Sequence, residues 1–263
     1  MVPSAPVFNA FFATIFTWLM TLAGAGMVFL PFRADRKLLD ASLGFAAGIM
    51  LAASFWSLLA PAIELSVSGG FAGWLPPAAG FLTGGLFLSV LDRLIPHLHP
   101  GCPPEYAEGF RTTWHRNRLL LLAVTIHNIP EGLAIGVAFA AASVEGVIAA
   151  PLALALGIGI QNLPEGAAVS LPLRGEGVSR ERSFFYGQLS GAVEIVAAVL
   201  GALILSGSSF FMPAALGFAA GAMVFVVIED IIPECQRGGN TDLATVSALL
   251  GFTLMMVLDV ALG

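Results

Sequence analysis

The sequence has little charge and lacks the groups on which most soluble functions depend. Only 11% of its 263 residues are Asp, Glu, Lys or Arg, against about 25% in an ordinary soluble domain. Its 11 Lys and Arg residues are outnumbered by 17 Asp and Glu residues, so no basic surface is available for nucleic-acid phosphates. Two cysteines cannot form a disulfide framework or a zinc site made of thiolates alone. These scarcities exclude a soluble enzyme, a disordered regulator and a nucleic-acid-binding protein.

Apolar residues are abundant and occur in long runs. They make up 57% of the chain, and the mean hydropathy is +0.90. A transmembrane helix needs about 20 mainly apolar residues, and no segment alternates with the period of two typical of membrane β-barrels. We therefore predict an all-α polytopic membrane protein in which residues 1–263 form a single transmembrane domain. The eight predicted spans are residues 8–30, 41–63, 75–95, 119–142, 146–172, 184–206, 210–232 and 242–262, and the longest connection is 96–118.

The positions of the basic residues predict the orientation of these spans. All 11 Lys and Arg residues lie in or beside the connections between spans 1 and 2, 3 and 4, 5 and 6, and 7 and 8. The other connections and both tails contain none. Because basic residues are retained on the cytoplasmic side, both termini are predicted to lie outside.

Three of the predicted spans contain polar residues near their centres. A charged group there costs a few kcal/mol, about 2.5–3.5 on insertion scales, so each one needs a reason. These residues are His127, Asn128 and Glu131 in the fourth span, Gln161, Asn162 and Glu165 in the fifth, and Glu194 in the sixth. His127 and Glu131 share one helical face, as do Gln161 and Glu165. The sequence therefore predicts a polar layer close to the middle of the membrane.

Two of these groups form an internal repeat. His127-Asn-Ile-Pro-Glu-Gly132 and Gln161-Asn-Leu-Pro-Glu-Gly166 share one pattern, and consecutive spans are antiparallel, so the repeat is inverted, as in many transporters. Each proline also leaves the carbonyl four residues earlier without its helical donor. Carboxylates, an imidazole and amide oxygens at one depth predict a divalent-cation site. This ligand set suits zinc, iron, manganese or cadmium.

Some of these residues have other interpretations. Met50 in the second span could add a thioether ligand, but a methionine facing the core or the lipid is the more ordinary explanation. Glu194 taken alone is equally well an acid that forms a structural hydrogen bond. The glycine pairs Gly44/Gly48, Gly80/Gly84, Gly132/Gly136 and Gly217/Gly221 predict close helix packing.

A second set of acids lies nearer the membrane surfaces. Glu64 and Asp259 are close to the predicted outer face. Asp92, Glu229 and Asp230 lie close to the inner face, and His97 and His99 follow on the cytoplasmic side. They are either stations on a cation route or interfacial acids in contact with water.

The paired motifs resemble the signature of the ZIP family of divalent-metal transporters, and the resemblance extends over the full chain. It implies import of zinc, and also of cadmium, iron or manganese, into the cytoplasm by alternating access. It further implies a homodimer in the plasma membrane, the inner membrane if the host is bacterial, with no cofactor besides the transported ion. The implied metal ligands for one or two ions are Met50, His127, Asn128, Glu131, Gln161, Asn162, Glu165 and Glu194. Ser57 and Glu64 match positions along the outer approach, and Asp92, His97, His99, Glu229 and Asp230 match the release path.

The sequence departs from the family pattern at two positions. Gln161 stands where many relatives carry His, and Asn162 stands where some bacterial relatives carry Asp. A second metal site, if it forms, has less negative charge, and a single occupied site is an open alternative.

Two other functions remain open on the sequence. An intramembrane metallohydrolase would also bury His and carboxylate ligands, but such zinc sites generally use two or three His, and only His127 lies at membrane depth. A metal sensor that uses His97 and His99 without transport would not need a polar layer in the membrane. We therefore expect a transporter rather than an enzyme.

Overall fold

The protein is a bundle of helices long enough to cross a membrane. The computed structural model describes residues 5–31, 35–98, 108–114 and 116–262. Eight membrane-length helices occur in these ranges: α1 (Ala5–Phe29), α2 (Arg36–Ser68), α3 (Leu75–Leu94), α4 (Arg116–Glu145), α5 (Ala149–Gly175), α6 (Arg180–Leu205), α7 (Met212–Gln236) and α8 (Thr241–Leu262). Within the described residues, β-structure is limited to one bridge between His97 and Glu108. The all-α fold and the predicted number of eight spans are confirmed.

Two of the helices contain a π-helical segment that the sequence analysis did not predict. In α2 it covers Ser54–Leu59 and in α7 it covers Val227–Ile231. Each is followed by a proline, Pro61 or Pro233, whose ring would clash with the carbonyl four residues earlier in a regular helix. A wider turn relieves this clash. Such π turns are often found at functional sites.

The helices pack in two groups. In the first group, α1 contacts both α5 and α6, and α4 lies along α6. In the second group, α2 lies along α8 and α3 along α7, with further contacts between α2 and α7. The two groups meet mainly where α5 contacts α2 and where α4 contacts α7. Both repeated motifs belong to the first group.

At several glycines, neighbouring helices pack so closely that their backbones are in contact. The glycine pairs in the sequence predicted this close packing. A Cβ added to Gly132 would overlap the backbone of Glu194, and one added to Gly136 would overlap the carbonyl of Ala198. In the second group, Gly84 faces the carbonyl of Phe218 in the same way. Because lipid gives helices little hydrophobic reason to associate, this close van der Waals packing is a main source of their adhesion.

Substitution of two adjacent glycines in α3 tests this packing. Gly84→Ala places a methyl group against the Phe218 carbonyl, whereas a Cβ on Gly85 has its nearest neighbour, the Gly221 carbonyl, at 3.7 Å. We expect Gly84→Ala to lower the stability by about 1–3 kcal/mol, the usual cost of overpacking, and Gly85→Ala to leave it unchanged or slightly higher. Thermal unfolding of the detergent-solubilised protein measures both. Equal melting temperatures for the two variants would contradict the packing described.

Candidate metal-binding site

The two motifs meet at a contact between α4 and α5. Gln161 Nε2 donates a hydrogen bond of 2.8 Å to Glu131 Oε1, and both side chains are fully buried. The amide nitrogen of Gln161 therefore faces Glu131, and its amide oxygen accepts no hydrogen bond from the described residues. The sequence repeat thus becomes a direct contact between its two copies.

Glu194 on α6 lies beside this contact and is held by two other helices. Asn162 Nδ2 donates to Glu194 Oε1 at 2.8 Å, and Thr17 Oγ1 on α1 donates to Glu194 Oε2 at 2.6 Å. The backbone approach at Gly132 brings α4 against α6 at this level. Because these helices are packed so closely, the carboxyl group of Glu131 is near enough to interact electrostatically with those of Glu165 and Glu194.

Thr17 is a site residue that the sequence analysis missed. Thr14, Thr17 and Thr21 are fully or almost fully buried, and their spacing puts them on the face of α1 that packs on α5 and α6. The signal was therefore present as three threonines on one face of an otherwise apolar helix. It was overlooked because threonine is a common residue in membrane helices.

Several buried oxygens of the motif residues have no hydrogen-bond partner among the described residues. They are Asn128 Oδ1, Glu131 Oε2, Gln161 Oε1, Asn162 Oδ1 and Glu165 Oε1. A buried acceptor that is left unsatisfied costs about 1–3 kcal/mol, and a cation would remove this cost for those oxygens that it contacts. Carboxylate and amide oxygens with one imidazole nearby form a donor set that zinc and related divalent ions accept.

His127 contacts a residue of the predicted release path. Its Nε2 lies 3.0 Å from Asp230 Oδ2, in the π-helical segment of α7. His127 also interacts electrostatically with Glu165. One cavity is lined by His127, Glu165 and Asp230 and continues to Arg36 and Glu234, at the N-terminal end of α2 and the C-terminal end of α7. His127 and Glu165 therefore line a cavity that extends toward the side of the bundle that carries the basic residues.

The sequence analysis also missed the charged residues at the far end of this cavity. Arg36 lies 2.7 Å from Asp40 and 2.9 Å from Glu234, and Asn240 donates to Asp40 at 2.8 Å. These contacts join the start of α2 to the end of α7 and the start of α8. Arg36 and Asp40 are one helical turn apart, but Glu234 and Asn240 lie 198 and 200 residues from their partners, so no local pattern could reveal those two contacts.

Of the remaining predicted site residues, Met50, Ser57 and Glu64 lie on α2 and Glu229 lies on α7. Met50 is fully buried and belongs to the same apolar core as Ile126, which directly precedes His127, and Ile158, three residues before Gln161. Ser57 Oγ donates to both carboxylate oxygens of Asp259, at 2.8 and 2.9 Å, and so joins the π-helical segment of α2 to α8. Glu64 and Glu229 are exposed.

A second group with metal-ligating side chains lies at the end of α3. Ligand atoms of Asp92, His97 and Glu108 are all within 4.8 Å of one another. His97 Nε2 lies 3.0 Å from Asp92 Oδ1, and its backbone pairs with that of Glu108. Glu108 was not predicted, because only the bridge brings it next to His97. The predicted residue His99 lies outside the described residues.

The surroundings of His97 favour its protonated form. Burial of the ring opposes protonation, but the contacts with Asp92 and with the Ile95 carbonyl, 2.9 Å from Nδ1, outweigh burial and raise the pKa of His97 above its ordinary value of 6.5. Both ring nitrogens face acceptors, as an imidazolium ion requires.

These contacts predict a pH dependence of the connection that follows α3. Because the pKa of His97 is raised, its contribution to stability is present below pH 6.5 and is lost as the pH rises through the higher folded-state value. An NMR titration of the His97 ring should show the raised pKa, and Asp92→Asn should lower it. A pKa at or below 6.5 in the unsubstituted protein would contradict the described contacts.

The chain is similar to one protein family and to several named proteins. Residues 111–259 match the family model described as ZIP Zinc transporter, more than half of the chain. The chain is 42% identical to human zinc transporter ZIP11, with 98% of each protein covered. It is 42% identical to zinc transporter GufA of Myxococcus xanthus, over 95% of this chain and 98% of the relative. It is 43% identical to zinc transporter ZIPB of Bordetella bronchiseptica, over 85% of this chain and 72% of that protein.

All three relatives carry the name of a transporter and not of a hydrolase, which goes against the metallohydrolase alternative. The resemblance inferred from the motifs is confirmed. This multi-pass membrane protein belongs to the ZIP family of zinc transporters.

Proposed function

We propose that the chain imports zinc across the plasma membrane into the cytoplasm through a site between α4, α5 and α6. The observation that carries this proposal is the set of five buried oxygens without hydrogen-bond partners among the described residues. They belong to Asn128, Glu131, Gln161, Asn162 and Glu165, and His127 adjoins them through its interaction with Glu165. Glu131 and Glu165 supply the negative charge that offsets the lost hydration of the ion.

The orientation supports inward release. The cavity beside His127 and Glu165 opens toward the side where the basic residues cluster, which the positive-inside rule assigns to the cytoplasm with both termini outside. On the opposite side of the motif, residues 134–142 of α4 are all buried. The proposed site is thus reached from one side and closed by packed side chains on the other.

Alternating access then requires movement between the two helix groups. Every motif residue, together with Thr17 and Glu194, lies on α1, α4, α5 or α6, while α2 and α7 provide the opposite wall of the cavity. A shift of the first group against the second would carry the ion from one side to the other. The residues 1–263 would then act as one transport unit.

Polar groups at both ends extend the proposed route. Ser57 and Asp259, with the exposed Glu64, lie toward the outer side. Asp230 pairs with His127 on the inner side, where Glu229 and the group of Asp92 and His97 follow along the route. In this proposal these residues pass the ion between the bulk water and the central site, and Met50 adds a thioether when the ion is bound.

We extend the proposal to cadmium, iron(II) and manganese, because an oxygen-rich site with one imidazole does not select zinc strongly.

We also propose a homodimer. In α3 only 28% of the most apolar stretch is buried within one chain, and in α8 only 22%. The apolar faces of these two helices that remain exposed are available to pack against a second copy. Single-molecule photobleaching in liposomes would show two-step bleaching for a dimer and one-step bleaching for a monomer.

Metal flux into proteoliposomes tests the proposed site. Glu131→Gln with Glu165→Gln keeps the shape of both side chains but removes two negative charges, so zinc and cadmium uptake should fall to the level of protein-free vesicles. The matched control is Glu181→Gln at the exposed start of α6, which should leave uptake unchanged. Saturable uptake that persists in the double variant would contradict the site. No flux in the unsubstituted protein would contradict the function.

A further inference from the structure

Arg36 places a positive charge at the inner end of the cavity through which the ion is proposed to leave. The cavity begins at His127, Glu165 and Asp230 and reaches Arg36 and Glu234. Carboxylates attract a divalent ion, whereas a guanidinium group repels it and stays ionised throughout the physiological pH range. A positive charge at the mouth of a cation route therefore needs an explanation.

Three contacts hold the Arg36 side chain in this place. Its Nε lies 2.7 Å from Asp40 Oδ1, and its Nη1 donates to Glu234 Oε1 at 2.9 Å. Its Nη2 donates to the backbone carbonyl of Glu234. Asp40 is fully buried, and its other oxygen accepts from Asn240 at 2.8 Å. Arg36 thus joins a buried acid of its own helix to an acid of α7 that lines the cavity.

The connection between α7 and α8 covers this group closely. A Cβ added to Gly238 would overlap Asp40 Oδ2 and would lie 2.7 Å from Arg36 Nε. The side chain of Arg36 is 38% exposed and that of Glu234 only 12%. The attraction between these two charges is therefore screened less by water than in a fully exposed ion pair.

Glu234 would be a retention point for a departing ion if Arg36 were absent. It lies four positions after Asp230 on α7, and both carboxylates line the same cavity. Arg237 also lies 3.1 Å from Glu234 Oε2, but its side chain is 46% exposed. A carboxylate that accepts a hydrogen bond can still bind a metal ion. At Glu234, however, the ion would have to approach against the positive charge of Arg36.

We propose that Arg36 acts as an internal counter-ion for Glu234 and so determines how fast the transported ion leaves the cavity. This inference rests on the proposed function, because it takes the cavity as the route of release. An ion that reaches Glu234 meets a guanidinium group that Asp40 keeps in place, so the ion passes on into water. Arg36 is a positioning residue, since it touches Glu234 and not the ion.

The rate at which cadmium leaves the protein tests the part played by Arg36. Purified full-length protein in detergent is loaded with cadmium and mixed rapidly with a fluorescent chelator. The test variant is Arg36→Gln with Asp40→Asn, which removes the guanidinium group without leaving a buried carboxylate unpaired. We expect dissociation to slow about tenfold, because Glu234 then holds the departing ion. In proteoliposomes, KM and kcat of cadmium uptake should fall together.

Restoring the balance of charge separates this role from a purely structural one. Adding Glu234→Gln to the test variant removes the carboxylate that retains the ion, so dissociation should return to its original rate. If Arg36 only fastens α2 to α7, this triple variant should show no recovery, since the contact is still missing. The matched control is Lys37→Gln at the exposed neighbouring position, which removes the same charge outside the cavity and should leave the rate unchanged.

Two results would overturn the inference. One is an unchanged dissociation rate in Arg36→Gln with Asp40→Asn, and the other is slow dissociation that Glu234→Gln does not relieve. If the test variant does not fold, Arg36→Met with Asp40→Leu replaces the ion pair by apolar side chains and carries the same expectations. Failure of the proposed function looks different, because cadmium binding would then be absent or would survive Glu131→Gln with Glu165→Gln.

Discussion

A carboxyl group at membrane depth needs partners that lipid does not provide, and the arrangement around Glu131, Glu165 and Glu194 follows from this constraint. Unsatisfied polar groups cost several kcal/mol in hydrocarbon, on the order of 4–8 for an amide or hydroxyl. The protein satisfies some carboxylate oxygens with amide and hydroxyl donors from neighbouring helices. It leaves others without partners, and those are the positions where a cation gains most by binding.

The glycines of the repeated motif serve the same purpose as its acids. Gly132 lets the backbone of α4 touch that of α6 beside Glu194, and Gly166 lets α5 touch α1 beside Thr21. A larger residue at either position would separate the helices whose side chains form the site. Each copy of the motif therefore contains both a proposed metal ligand and a glycine that allows the neighbouring helix to pack close to it.

Much of this organisation could be predicted from the sequence, because it depends on local patterns. Apolar length determined the eight spans, and the repeat located Glu131 and Gln161, which are in contact in the structure. The glycine pairs identified helix faces that do pack closely. Which helices those faces meet depends on the tertiary arrangement, and no single segment encodes it.

Two of the contacts that the sequence did not reveal join residues far apart in the chain. Thr17 meets Glu194 across 177 positions and Arg36 meets Glu234 across 198, so neither pair leaves a periodic signal. Glu108 joins His97 through a bridge between two irregular segments. The π-helical segments were missed for a different reason. Pro61 lies within the predicted second span and Pro233 directly follows the predicted seventh, and a proline at such a position does not by itself show that the turn before it is wider.

The most direct test of the account is anomalous X-ray diffraction at the zinc edge from crystals of the protein grown with zinc. The strongest peak should lie between α4 and α5, at about 2.0–2.2 Å from carboxylate oxygens of Glu131 and Glu165. A zinc peak confined to Asp92, His97 and Glu108, with none between α4 and α5, would contradict it.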